Sequence, residues 1–205
     1  MAWLDFLRGR QEETPEIPVF PLNTVLFPGG VLGLKVFETR YLDMAARCLR
    51  EQTPFGVSLA QADEGGLAVP HAIGTLAEIR HADMEQAGLL LLTVQGGRRF
   101  RIESTQRAAD GLLVARVSLL AESPQMAVPA TRQRLLPFLV RVVSDLGKDK
   151  VPEPHNWDDA AWVGYRLAEA MPVQNLAKQK LLELDNPLAR LEILEKYLEQ
   201  KKLIA

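Results

Sequence analysis

A single cysteine, Cys48, means that this 205-residue chain cannot close an intrachain disulfide. Disulfide-stapled chains belong to oxidising compartments, so a cytoplasmic setting is the simplest expectation. An excess of charge is missing too: 24 Lys and Arg stand against 26 Asp and Glu, a net of -2. Phosphate backbones are held by clustered Lys and Arg that release counterions, so nucleic acid is not the expected partner. No apolar run approaches the ~18 residues that a membrane-spanning helix needs. The early cluster Trp3, Leu4, Phe6 and Leu7 is broken by Asp5 and has no basic region before it, so it does not read as a signal peptide. It is expected to form one or two helical turns within an N-terminal arm, residues 1–16.

Catalytic signatures are equally sparse. His71, His81 and His155 lie far apart, outside any metal-ligand or H-E-x-x-H spacing, and neither metal nor cofactor is expected. There is no G-x-x-x-x-G-K-[ST], because Gly96-Gly97 is followed by Arg98 and Arg99. Asp158 and Asp159 are expected in the first turn of a helix, where negative charge complements the dipole. Catalytic residues: none are assigned.

What is present is an ordinary globular mixture, 47% hydrophobic and 24% charged. A chain of this length buries roughly 70% of its unfolded surface and needs no metal or disulfide staple. Its texture changes near residue 121. Before that point, short strands are expected at Ile17–Phe20, Val31–Phe37, Phe55–Gln61, Ile73–Arg80, Leu89–Gln95, Arg98–Arg107 and Leu112–Leu120. Pro28-Gly29-Gly30 reads as a turn. Asp110-Gly111 reads as a hairpin turn of type I′. The run Leu89–Val94, apolar at every position but Thr93, is expected to be covered on both faces. One helix interrupts the strands, from an N-cap at Thr39 to about Glu51. Leu42, Ala45, Ala46 and Leu49 are its expected inner stripe, and Cys48 is expected to be a small buried residue.

After Pro129 the periodicity is helical. The expected helices are Thr131–Leu146, kinked or divided at Pro137; one from Asn156 to about Ala170; Val173–Leu184 after Pro172; and a last one opened by Asp185 and Pro187. The last carries Leu188, Leu191, Leu194 and Leu198, with a Glu192–Lys196 pair spaced i, i+4. The expected domains are therefore a strand-built unit over 17–121 and a helical bundle over 122–205.

Five segments carry a resemblance, the last of them Gln179–Leu191, which is similar to the helical tail that follows the domain named next. The run IPVFPLNTVLFPG from Ile17 to Gly29 looks like the opening of the Lon N-terminal (LON substrate-binding) domain family. Phe37–Tyr41 resembles its F-E-x-R-Y box, Gly74–Ile79 its G-T-x-A-x-I strand, and Gln95–Ile102 its Q-G-x-x-R-F-x-I segment. The resemblance implies an α+β fold: a PUA-like mixed β pseudo-barrel with an inserted helix, followed by a C-terminal α-helical bundle. It further implies a non-catalytic module that binds unfolded or extended polypeptide or acts as an adaptor, with a protease, a chaperone or a second copy as partner.

Glu38, Arg40 and Tyr41 can present a hydrogen-bonding edge to a bound peptide, or tie the start of the helix to the strands; the second reading is favoured. Arg99 and Arg101, alternating with Phe100 and Ile102, complete the candidate peptide-binding set. Arg98, Arg99 and Arg101, with Phe100 interleaved, support the alternative of an RNA-binding PUA-like protein. The competing view makes them the solvated face of a strand with Phe100 in the core.

Overall fold

The computed structural model describes residues 14–62 and 68–204. The expected helical turns around Trp3 to Leu7 lie outside the described residues. The fold is mixed α/β. Described residues up to Leu26 and from Leu32 to Ala121 form one compact unit; Phe27–Val31 and those from Glu122 onward form another.

The first unit contains β1 (Glu16–Leu22), β2 (Val31–Val36), α1 (Thr39–Glu51), β3 (Phe55–Ala62), β4 (Ala68–Pro70), β5 (Ile73–Gln86), β6 (Leu89–Arg107) and β7 (Leu113–Leu119). β1 pairs antiparallel with β7 and parallel with β3. Antiparallel pairings of β7 with β6, β6 with β5, and β5 with β3 then close a ring of five strands. β4 adds to β3, and β2 to β6. Closure satisfies backbone groups that an open edge would leave bare.

Several local expectations are corrected. The Gly96-Gly97 break is absent, and β6 runs unbroken from Leu89 to Arg107. Between the pairs Thr75↔Arg99 and Ala77↔Gly96 an extra residue enters β6 as a bulge, so the glycines relieve the strand instead of ending it. β5 extends to Gln86, past the expected Arg80. Leu90, Leu92 and Val94 are buried while Leu89, Leu91 and Thr93 are half-buried, so this stretch has one inner face and not two. The β6–β7 hairpin closes through Gly111 N–H donating to Ala108 O (2.9 Å) and Ala108 N–H to Leu112 O (2.9 Å). Only Gly111 takes a positive φ there (+81°). The loop is thus a three-residue turn ending in a left-handed glycine, not the type I′ form.

α1 spans its expected length, but its inner stripe is Tyr41, Met44, Ala45 and Cys48. This is the expected stripe rotated by one residue, about 100°; Leu49 faces out. The residue before the helix is Glu38, extended and with no side-chain cap bond, not Thr39. Cys48 is buried as expected, and burial pushes its thiol pKa up, away from nucleophilic character.

The second unit holds a 3-10 turn (Ala130–Arg132) and α2 (Leu135–Leu146), α3 (Ala160–Ala170), α4 (Asn175–Glu183) and α5 (Pro187–Gln200). Pro137 falls in the first turn of α2, where its missing N–H leaves no bond unmade, so it neither kinks nor divides the helix. Asp159 is the N-cap of α3, and not a first-turn residue: its carboxylate accepts from the N–H groups of Ala161 and Trp162 (3.2 and 3.1 Å). Asp159→Ala should therefore cost ~1 kcal/mol in urea denaturation, whereas Asp159→Asn, which keeps an acceptor, should cost only a few tenths. Asn186 caps α5 in the same way, with Pro187 in the first turn. Leu191, Leu194 and Leu198 are buried as the stripe required, and Glu192 meets Lys196 at 2.7 Å. Glu195, nearly buried, binds Arg132 (2.7 Å) and Arg134 (2.9 Å), fastening the 3-10 turn to α5.

Candidate functional site

The five residues picked from sequence do not converge. Glu38, Arg40 and Tyr41 form a local cluster at the start of α1. The Tyr41 ring stacks on Phe20 with centroids 3.9 Å apart, and the Arg40 guanidinium lies 4.9 Å above the Tyr41 ring. Arg40 bonds Glu38 (2.5 Å), and its Nη1 donates to the carbonyl of Gly111 (3.4 Å). Burial raises the Tyr41 phenol above its usual range, with Arg40 opposing that shift. These contacts tie the helix start to β1 and to the β6–β7 hairpin.

Arg99 and Arg101 lie elsewhere. Arg107, whose Nη1 also reaches Gly111 O (3.5 Å), marks the Arg40 end of β6. Arg99 is eight residues back along that strand, roughly 26 Å at strand rise. Arg99 is 4% exposed, while Arg101 is exposed. The two therefore do not share one solvated face. Phe100 is fully buried, as the core reading required.

Of the candidate histidines and carboxylates, His155 and Asp159 are structurally engaged. His155 Nε2 bonds the carbonyl of Val151 (3.1 Å), and its ring packs on Trp157 and Trp162. It borders a polar groove of about 660 Å³ with Glu122, Asp158 and Asp159; Asp159 is committed to its helix cap. Ser123 Oγ, in the same groove, meets the Tyr165 hydroxyl at 3.0 Å. Among the described residues, no group of three or more His, Cys, Asp or Glu side chains is placed to hold a metal. Among the same residues, no helix is long and apolar enough to cross a membrane.

The feature best shaped for a ligand lies in the second unit and was not singled out from sequence. A half-open groove of about 500 Å³ runs between α4 and α5. Val173, Ala177, Leu181, Leu184, Ile193 and Tyr197 are among its walls, and Lys180 and Glu183 also line it. Those two charges are spent on one another at 2.8 Å, so the groove offers almost purely apolar surface. Ile193 is 49% exposed, and Leu176, beside Ala177, is 54% exposed. Exposed apolar side chains around a concavity of this volume have the character of a binding surface. A signal was available: Ile193 and Tyr197, spaced i, i+4, form a second apolar stripe on α5 beside the core stripe of leucines.

The family model described as the ATP-dependent protease La (LON) substrate-binding domain matches residues 16–200, nine-tenths of the chain. The chain belongs to this LON substrate-binding family. It is 26% identical over 192 residues to a Lon protease of Cytophaga hutchinsonii, covering 88% of this chain and 24% of that one. It is 29% identical over 117 residues to protein cereblon of Danio rerio, covering 55% of this chain and 27% of cereblon. The LON chain described here thus spans about a quarter of the length of the curated relatives it matches. Among solved structures it is similar to a Lon N-terminal domain protein from Xanthomonas campestris, with 36% identity, a TM-score of 0.75, and coverage of 89% of this chain and 98% of that one. The N-terminal domain of a Mycobacterium avium complex Lon protease shares the fold at 17% identity, with a TM-score of 0.64 and coverage of 90% and 98%.

Proposed function

We propose that this protein is a non-catalytic polypeptide-binding module, and that the apolar groove between α4 and α5 receives aliphatic or aromatic side chains of unfolded or extended chains. The groove carries this reading: its apolar walls are left open to water at a free-energy cost that a bound side chain would relieve, ~25 cal/mol for each Å² covered. Membership of a substrate-binding family supports it. On this reading residues 17–121 form a PUA-like pseudo-barrel and 122–205 a helical bundle, the latter supplying the apolar contacts. The single-residue set Glu38, Arg40 and Tyr41 then positions α1, and is not itself the contact surface. Binding through side-chain burial without a catalytic constellation suits an adaptor that hands polypeptide to a protease or chaperone in the cytoplasm, as a monomer or homodimer. The burial of Arg99 takes away one of the three arginines, Arg98, Arg99 and Arg101, on which the RNA alternative rests.

The test is fluorescence anisotropy with labelled, permanently unfolded peptides rich in Leu and Phe. Wild-type protein should bind in the micromolar range. Ile193→Asp, which places a charge on the wall of the groove, should weaken binding at least tenfold while leaving the fold intact, because Ile193 is half-exposed. Arg101→Ala should leave binding unchanged. Equal affinity of wild type and Ile193→Asp would remove the groove from the account.

A further inference from the structure

The segment Phe27–Val31 interrupts the first unit's sequence and packs as part of the second. Within that unit α3 holds it with two charged side chains one turn apart. Arg166, 2% exposed, donates from Nη2 to the carbonyl of Pro28 (2.8 Å) and sets Nε 3.2 Å from the Glu169 carboxylate. Glu169 Oε1 lies over Gly30 so closely that a Cβ there would sit 1.8 Å away. Gly29, at φ +73°, turns the chain beneath the Arg166 guanidinium, and Gly30 N–H closes the turn on Phe27 O (2.9 Å). Phe27 anchors the near end, fully buried and 5.9 Å from the Tyr165 ring.

We propose that Phe27–Val31 is a pH-dependent latch, closed on α3 when Glu169 is protonated and loosened when Glu169 is ionised.

The charges facing Glu169 decide the sign. On its own helix stands Arg166. From α4, Lys178 approaches, but its ammonium donates to the backbone carbonyl of Glu169 (2.6 Å). The latch segment contributes no charged side chain. Glu169 is also the penultimate residue of α3, where the helix dipole disfavours negative charge. Arg166 and, more weakly, Lys178 favour the ionised form, and desolvation outweighs both: burial lifts the carboxyl from 4.5 to about 7. A pKa higher in the closed state than in the open one means that closure binds a proton. The hold of the latch is complete below about pH 4.5 and is lost as pH rises through 7.

The full displacement permits a change of a few hundredfold; since a quarter of the Glu169 side chain still meets solvent, the opening constant should rise on the order of tenfold to a hundredfold. Amide hydrogen exchange by NMR between pH 5 and 8, corrected for the intrinsic rate, reads this directly at Gly30. The amide of Met171, bonded to Leu167 O within the same unit (3.1 Å), serves as the control for wholesale unfolding. The expected result is a rise at Gly30 without one at Met171, abolished in Glu169→Gln. A flat Gly30 profile, an equal rise at Met171, or a rise that survives in Glu169→Gln overturns the latch. Should Glu169→Gln not fold, the side-chain carboxyl of wild-type Glu169 can be followed by carbon NMR. A midpoint near 7 supports the proposal, and one near 4.5 overturns it.

Discussion

Arg190→Met should lower the stability of the helical unit by roughly 3 kcal/mol, although methionine nearly fills the same space. Arg190 is fully buried and draws its contacts from the C-terminal turn of α4. Nε donates to the carbonyl of Leu181 (2.9 Å), a second nitrogen donates to that of Leu184, and the guanidinium lies 4.0 Å over the Tyr165 ring. Two effects compete on substitution. Removing a buried cation returns its desolvation cost, which is why buried ion pairs can be replaced by apolar groups at little loss. Here two of the acceptors are backbone carbonyls. They stay behind when the arginine goes, each costing ~1–3 kcal/mol if unmatched. A desolvated cation–π contact of ~2 kcal/mol is lost with them. The loss side wins. Arg190→Lys should fall in between, since an ammonium can reach one carbonyl but cannot span both with a planar fork. Urea denaturation read from Trp157 and Trp162, in a Trp3→Phe background, follows this unit alone. A methionine variant within ~0.5 kcal/mol of the parent would show that cation and carbonyls cancel, and would end the capping account.

The same residue shows what a sequence can and cannot disclose. Arg190 sits in the last helix between core leucines, and spacing identifies it as inward-facing only if a buried arginine is entertained. Periodicity gave the helix and its leucine stripe, because three buried leucines at i, i+3 and i+7 have few other readings. It failed on α1, where two stripes one residue apart both satisfy helical spacing. Leu42 with Leu49 looked the more apolar choice, but Tyr41 with Cys48 faces in. The deciding term is tertiary: stacking of Tyr41 on Phe20, twenty-one residues away, outweighs the local preference.

On β6 Phe100 faces the core and Arg101 faces out as the alternation required, but Arg99, which shares the parity of Arg101, is covered, and alternation does not report what covers a face. The candidate site suffered most. Four of the segments that carry the family resemblance lie in the first unit or in the latch; the fifth, Gln179–Leu191, runs through the groove and supplies Leu181 and Leu184 to its walls, but the resemblance did not mark them as exposed. The groove between α4 and α5 is built from ordinary Leu, Ile, Ala and Val, whose exposure depends on which neighbours fail to cover them. No spacing rule reports that.

Gly74→Ala is expected to destabilise the first unit by about 3 kcal/mol, at or above the upper end of ordinary overpacking. An added methyl would stand 2.5 Å from the edge of the Phe100 ring and 2.5 Å from the carbonyl oxygen of Val57. Gly74 pairs with Phe100 across β5 and β6, and Phe100 is itself fully buried, so the ring has no free volume to enter. This gives the glycine of the G-T-x-A-x-I strand a packing reason. Gly56 presses on the same ring from β3, but the three atoms nearest its added methyl would all belong to side chains: Phe100 at 2.8 and 3.1 Å and the Ile17 terminus at 3.1 Å. The difference between side chain and backbone makes the prediction specific. Phe100→Leu, a swap that costs under ~1.5 kcal/mol by itself where the core can repack, removes the ring edge from both sites. Gly56→Ala combined with Phe100→Leu should then recover nearly all of the Gly56→Ala loss. Gly74→Ala combined with Phe100→Leu should recover only part, because the Val57 carbonyl is fixed by its strand. Exchange of the slowest β6 and β7 amides measures both cycles. Equal recovery at the two positions would mean that β3 shifts to admit the methyl, and that the five-stranded ring is softer than its pairing implies.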